Sequence, residues 1–248
     1  MVSSIGSYST AQTGNAVAFK AASATELVSD ASKNQGASGT QGGGTLTIST
    51  LASQLADSAS RAEARDKMLS RSELADKANS LLDQILGDAY QANKAKYNNE
   101  VPKTDDPELL ARAKQATEFV TSSDRGSRSV KNPFGSLSRE QLSNIIYDDS
   151  GNYTINERRA AYYDSEDREQ AWRVKVAAQA MDEYNRTGKM TNFFSSVLDH
   201  FKELPTIEQA QYPKDYASDL ESKISRDFNY RTHQAEGKSE NPMNLIEM

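Results

Sequence analysis

From Trp172 onward, apolar side chains fall at Trp172, Val176, Ala177, Ala180, Met181 and Tyr184, three and four residues apart, until Thr187-Gly188 ends the run. That period belongs to the α-helix, in which residues three and four apart share one face. A chain that repeats it folds as helix packed on helix. It recurs at Leu51, Leu55, Ala59 and Ala62, at Leu74, Ala78, Leu81, Leu82 and Ile85, and at Leu110, Ala113, Phe119 and Val120. Further on it recurs at Phe194, Val197, Leu198 and Phe201, and at Tyr216, Leu220, Ile224 and Phe228. Strand-like alternation is confined to Leu46-Thr-Ile48 and Tyr153-Thr-Ile155. The expected fold is all-α, an irregular helical bundle.

Helix starts are written beside these stripes. In Leu69-Ser-Arg-Ser-Glu-Leu74, Ser70 and Glu73 form a capping box, and Leu69 and Leu74 have the spacing of a hydrophobic staple. Leu137-Ser-Arg-Glu-Gln-Leu142 repeats the device with Ser138 and Gln141. Ser49 or Thr50 caps a helix running to about Met68, Gly87 stops or loosens the next, and Asp106 caps a third whose first turn takes Pro107. Thr191 is the expected cap of the helix that ends before Pro205. The last helix is expected from about Pro213.

Between two of these helices, oxygen-bearing residues occupy every second position: Asp148, Ser150, Asn152, Thr154 and Asn156, with Gly151 at the bend and Ile155 as the buried aliphatic. The stretch resembles an EF-hand calcium loop, in which a twelve-residue turn presents alternate ligands to a hard cation. The resemblance implies Asp148, Ser150 and Asn152 as the first three ligands, the Thr154 carbonyl as the fourth, and Asn156 through water. Tyr153 stands where the family has Gly and Arg159 where it has a bidentate Glu, so Glu157 closes the cage only in a shortened loop. What is implied is weak Ca²⁺ binding, about 10⁻⁴ to 10⁻³ M. The alternative is an Asx-type turn in which Asp148 and Asn152 satisfy local backbone donors.

From Met1 to about Thr45 the chain is Ser, Ala, Gly, Thr and Gln, and seven of its thirteen glycines fall there. Such a segment buries too little to offset its ordering entropy and is expected to be disordered. It carries no charge before Lys20 and no acid before Glu26. In this it resembles the uncleaved N-terminal signal of bacterial type III secreted proteins; the alternative is a plain flexible tail. No apolar leader of the Sec kind is present, so the expected location is outside the cell by another route, or the bacterial cytoplasm.

The expected organisation is a leader over 1–47, a helical part over 48–122, a mobile loop over 123–132, a second helical part over 133–235 carrying the oxygen-rich turn, and a loose tail over 236–248. With no cysteine, thiol chemistry and sulfur-bound zinc are excluded. A net charge of −6 argues against nucleic acid, and Arg125, Arg128 and Lys131 read as a solvated connection. No apolar run approaches the length of a membrane span. His200 and His233 lack the neighbours a zinc site needs, and His200 is expected at a solvent edge. Carboxylate pairs such as Asp164 with Glu166, or Asp182 with Glu183, read as solvation. No motif specifies a reaction. The expected function is that of a non-enzymatic, exported helical protein working through a protein partner; the alternatives are a calcium-responsive switch and an exported enzyme with a carboxylate-based site in the C-terminal part.

Overall fold

A computed structural model describes residues 50–127 and 129–237. The leader over 1–47, the alternating Leu46-Thr-Ile48 and the tail beyond Gly237 lie outside the described residues. Within them the chain is all-α, with nine helices and one two-residue hairpin. The helices are α1 (Thr50–Met68), α2 (Arg71–Leu86), α3 (Asp88–Tyr97), α4 (Pro107–Asp124) and α5 (Arg139–Ile146). They continue as α6 (Ile155–Thr187), α7 (Thr191–Glu203), α8 (Thr206–Gln209) and α9 (Tyr216–Arg226). Strands β1 (Phe228–Asn229) and β2 (Gln234–Ala235) pair antiparallel, Phe228 opposite Ala235.

The expected caps are in place. Ser70 and Ser138 each accept from the third helical amide and receive the Glu73 or Gln141 side chain in return. Asp106 accepts from the amides of Glu108 and Leu109 at 2.8 and 3.1 Å, with Pro107 in the first turn. Removing one such oxygen exposes an orphan amide to the end of its helix. Ser138→Ala is therefore expected to lower the unfolding free energy by about 1 kcal/mol, read as a shifted urea midpoint.

The spine is α6, 33 residues and about 50 Å long. Its first half is clamped by α2, α4 and α5, and its second half packs on α7, which in turn packs on α9. Leu74, Ala78, Leu81 and Ile85 of α2, Ala116 and Val120 of α4, Leu142, Ile145 and Ile146 of α5, and Ala160 and Ala161 of α6 share one hydrophobic cluster. Residues of the stretches 48–122 and 133–235 thus contribute to a single core. Phe134, from the loop before α5, is fully buried in it.

Several local expectations need correction. Thr191 is the first residue of α7 and does not cap it; the buried Glu183 carboxylate of α6 accepts from the amides of Asn192 and Phe193 at 2.9 and 3.0 Å and fills that role. Tyr153-Thr-Ile155 is the end of a turn and the start of α6, not a strand. Ile155 is only half-buried. On α6, Val176 and Ala180 are buried but Ala177, Met181 and Tyr184 are exposed, because α7 covers only one side of this half; Arg231 lies over the Tyr184 ring at 5.5 Å without burying it. The last helix ends at Arg226, where Asp227 takes a left-handed backbone (φ 43°) and turns Phe228 into the hairpin. Gly188, at φ 77°, is held to that hairpin by the Tyr230 amide, and a Cβ there would lie 2.5 Å from Asn229 Oδ1.

Candidate functional site

The oxygen-rich turn does not gather its side chains at one point. Asp148 Oδ1 accepts from the Ser150 amide at 2.9 Å and from the Ser150 hydroxyl, while Oδ2 accepts from Arg61 Nη2 at 2.6 Å and Nε at 3.1 Å. Burial pushes the Asp148 carboxyl up, but the bonds from Ser150 and Arg61 outweigh it and hold it below the usual range. Ser150 Oγ accepts from the Asn152 amide at 3.2 Å, and the Asn152 carbonyl accepts from Gln54 Nε2 at 2.7 Å. Gly151 makes the bend with φ 82°.

The other candidate ligands face elsewhere. Thr154 caps α6: its hydroxyl accepts from the Glu157 amide, and Glu157 Oε2 receives the Thr154 amide and hydroxyl at 2.8 and 3.0 Å. Glu157 Oε1 accepts from Arg112 Nε at 2.7 Å. Asn156 accepts from Tyr90 Oη at 3.0 Å and donates to Tyr97 O, Asn98 Oδ1 and Thr117 Oγ1. Among the described residues, no group of three or more His, Asp or Glu stands where it could hold a metal ion. A cation here has to displace Arg61 from Asp148 and open the capping box. Calorimetric titration with calcium is therefore expected to give no heat at millimolar concentration; heat that vanishes in Asp148→Ala would place an ion in the turn.

What Asn156-Glu157-Arg158-Arg159 does is structural. Four consecutive residues on a helix point about 100° apart, and here all four are buried, so the first turn of α6 is enclosed on every side. Arg158 donates to Ile146 O, Leu81 O and Gln84 Oε1 at 2.9 to 3.0 Å, and burial draws its pKa down. Arg159 donates to Ile85 O and to Asp124 Oδ1 and lies 4.0 Å over the Tyr90 ring. Both guanidinium groups thus meet carbonyls near the C-terminal ends of α2 and α5, where the helix dipole is negative.

A second polar cluster lies farther along α6. Glu169 of α6 accepts at Oε2 from Arg139 Nη1 (3.0 Å) and His200 Nε2 (2.8 Å), and at Oε1 from Arg173 Nε (3.3 Å). Burial pushes Glu169 up, and the Arg139 and His200 donors more than reverse it, so its carboxyl lies below the usual range. An ionised carboxylate only accepts, so Nε2 of His200 carries the hydrogen. Arg139 also reaches Glu208 Oε2 at 3.1 Å, yet burial keeps that carboxyl above the usual range. The His200 ring stacks on Trp172, centroids 3.7 Å apart and 11° from parallel.

Glu169, Arg173 and His200 of this cluster line a groove of about 420 Å³ walled by Trp172, Phe193, Val197, Phe201, Tyr212 and Tyr216. Phe201 meets the rings of Tyr212 and Tyr216 edge-on at 5.3 and 5.1 Å. Arg173 stands at the groove with its side chain 56 % exposed. His200, expected at a solvent edge, is instead largely covered, because its partners Trp172 and Glu169 come from α6, about thirty residues earlier. No spacing within one helix signals that pairing. The cluster draws on α5, α6, α7 and α8, and only the inward stripes of α6, α7 and α9 pointed towards it.

No protein-family model, no curated protein and no solved structure matches this chain.

Proposed function

We propose that this protein works through protein contacts, and that the aromatic groove between α6, α7 and α9 receives an aromatic side chain of a partner peptide with an acidic neighbour. The observation that carries this reading is the groove's chemistry: five aromatic rings around one space, and at its edge a guanidinium, Arg173, more than half exposed. Aromatic walls favour offset or edge-on ring contacts, and an exposed guanidinium selects a carboxylate. Peptide-library selection on the full chain tests it. Recovered peptides are expected to share an aromatic residue beside Asp or Glu and to be lost with Trp172→Ala and Arg173→Glu. Enrichment that survives Trp172→Ala, or none at all, would sink the reading.

Export is part of the same proposal, supported by the composition of the first 45 residues. A reporter fused to the first fifty residues is expected to leave a cell equipped for type III secretion, and retention in the cytosol counts against it.

One observation favours a second reading, an enzyme with a carboxylate-based site. Glu169 is held below its ordinary pKa and Glu208 above it, with Arg139 between them, and carboxyls driven apart by their surroundings can divide the roles of base and acid. Hydrolysis of a model ester or glycoside that disappears in Glu208→Gln would favour that reading over the first.

A further inference from the structure

The distal half of α6 has two faces. One sets Trp172, Val176, Ala180 and Glu183 against α7. The other carries Ala171, Val174, Ala178 and Met181 at spacings of three, four and three, with both alanines exposed, Val174 61 % exposed and Met181 67 % exposed. That spacing is the a/d repeat of a coiled coil, and it lies on the side of a surface helix that ordinarily carries polar residues. Arg168, Lys175 and Asp182, seven residues apart, flank it along one edge.

We propose that this seam is a self-association surface, on which α6 of a second copy packs antiparallel about a twofold axis level with Val176. In that register Ala171 faces Met181 of the second copy and Val174 faces Ala178 of the second copy, and the axis repeats both contacts. Each large side chain then meets a small one, which lets the two helices approach and leaves no gap. Parallel pairing sets Met181 on Met181 and alanine on alanine, alternately crowded and empty. The antiparallel register also brings Arg168 beside Asp182 of the second copy, twice by symmetry. Within one copy these two side chains pair with Asp164 (2.7 Å) and Arg186 (3.0 Å). The Asp182–Arg186 pair is exposed, worth little and exchanges readily. Arg168 also donates to Gly135 O at 3.2 Å and pairs with an Asp164 whose side chain is largely covered, and its guanidinium keeps further N–H donors for Asp182 of the second copy. Lys175, near the axis, extends its stem outward to solvent. The surface is self-complementary in shape and in charge, as a twofold contact has to be. A seam of two heptads lies at the small end of interfaces, so the dimer is a weak one, with a dissociation constant of roughly 10⁻⁵ to 10⁻³ M. This inference stands apart from the groove, which opens on the other face of α6.

Sedimentation equilibrium of the full chain over the micromolar to millimolar range tests it. The mass is expected to rise from the 27.3 kDa monomer towards the dimer. Met181→Glu, at an exposed position, is expected to weaken association at least about tenfold with unchanged helical circular dichroism. Asp182→Arg alone weakens it, and adding Arg168→Asp restores it. Because the chain has no cysteine, orientation can be read directly. Mixing Val174→Cys chains with Ala178→Cys chains is expected to give the mixed disulfide in preference to either homodimer. A monomer at every concentration, a dimer indifferent to Met181→Glu, or a predominance of like-with-like disulfides would each overturn the proposal.

Discussion

Glu157→Ala is expected to lower the unfolding free energy by about 3–5 kcal/mol, the largest loss for any single substitution at the start of α6. The Glu157 side chain is fully buried, and its two oxygens serve different purposes. Oε2 closes the cap of α6 by accepting from the Thr154 amide and hydroxyl, and Oε1 faces the Arg112 guanidinium, itself only 9 % exposed. Arg112 donates from Nη2 to Gln54 Oε1 at 2.7 Å and lies over the rings of Phe134 and Tyr153. Without the carboxylate, that guanidinium loses the ion pair it makes in the core, and a buried ion that loses its partner costs far more than an exposed pair contributes. Glu157→Gln keeps an acceptor for one neighbour and not for both, so its loss is expected to be smaller. Urea denaturation of the two variants beside the parent reads the difference. Equal stability for all three would mean that Arg112 finds solvent when Glu157 is gone.

Arg158→Ala is expected to come next, at about 2–4 kcal/mol. Its guanidinium is buried with no carboxylate bonded to it among the described residues, and it ties α6 to α2 and α5 through Leu81 O, Gln84 Oε1 and Ile146 O. Removing it orphans acceptors on two helices and empties the space the side chain filled. Arg158→Lys tests geometry against charge. A single ammonium does not span three acceptors held by a planar fork, so lysine is expected to recover only part of the loss. Full recovery by lysine would show that the charge near the helix ends, and not the fork, is what matters there.

Acid acts on the buried carboxylates of both polar clusters with a definite sign. Asp124, Asp148 and Glu169 are each raised by burial and then lowered further by their donors, to a net value below the ordinary one. A folded-state pKa below the unfolded one gives stability that is present above the unfolded values, 3.8 for Asp and 4.5 for Glu. It is lost as pH falls through the lower folded ones. Glu208, raised by burial, has the opposite sign: its contribution is present below 4.5 and lost as pH rises through its higher folded value. Glu63, Glu73, Asp106, Asp227 and Glu236 are lowered as well, and Asp164 is raised by burial as Glu208 is. Among the described residues eight carboxyls thus stand against two, and acid is expected to be destabilising below about pH 4.

Most of the helices were legible because their period is a property of the segment itself. Ser70, Ser138 and Asp106 announced their helices through side chains bonded within three residues. Where a feature depends on what arrives from elsewhere, the sequence was silent. α3 is Ala, Lys, Asn and Gln around most of its circumference, and it buries only Tyr90, whose hydroxyl is held by Asn156 of α6. The stripe on α6 marked a face and could not say how far α7 would cover it, so Met181 and Tyr184 read as core and stand exposed. The oxygen alternation from Asp148 to Asn156 was visible and pointed to ligands, whereas Thr154 and Glu157 form the capping box of α6. Arg61, Gln54 and Arg112 decide what those oxygens do, and they sit on α1 and α4, 45 to 98 residues from their bonding partners. The Glu169 to His200 contact spans two helices and leaves no mark in either.

Amide hydrogen exchange on the intact chain tests most directly whether the buried first turn of α6 holds the bundle together. The backbone amides of Arg158 to Ala161, with those of Leu81 to Ile85 and Ile145, are expected to be the slowest in the protein and to exchange only when the whole fold opens. Rapid exchange at Arg158 to Ala161 while α2 and α5 stay protected would contradict the account, since the helices would then hold together without the turn said to join them.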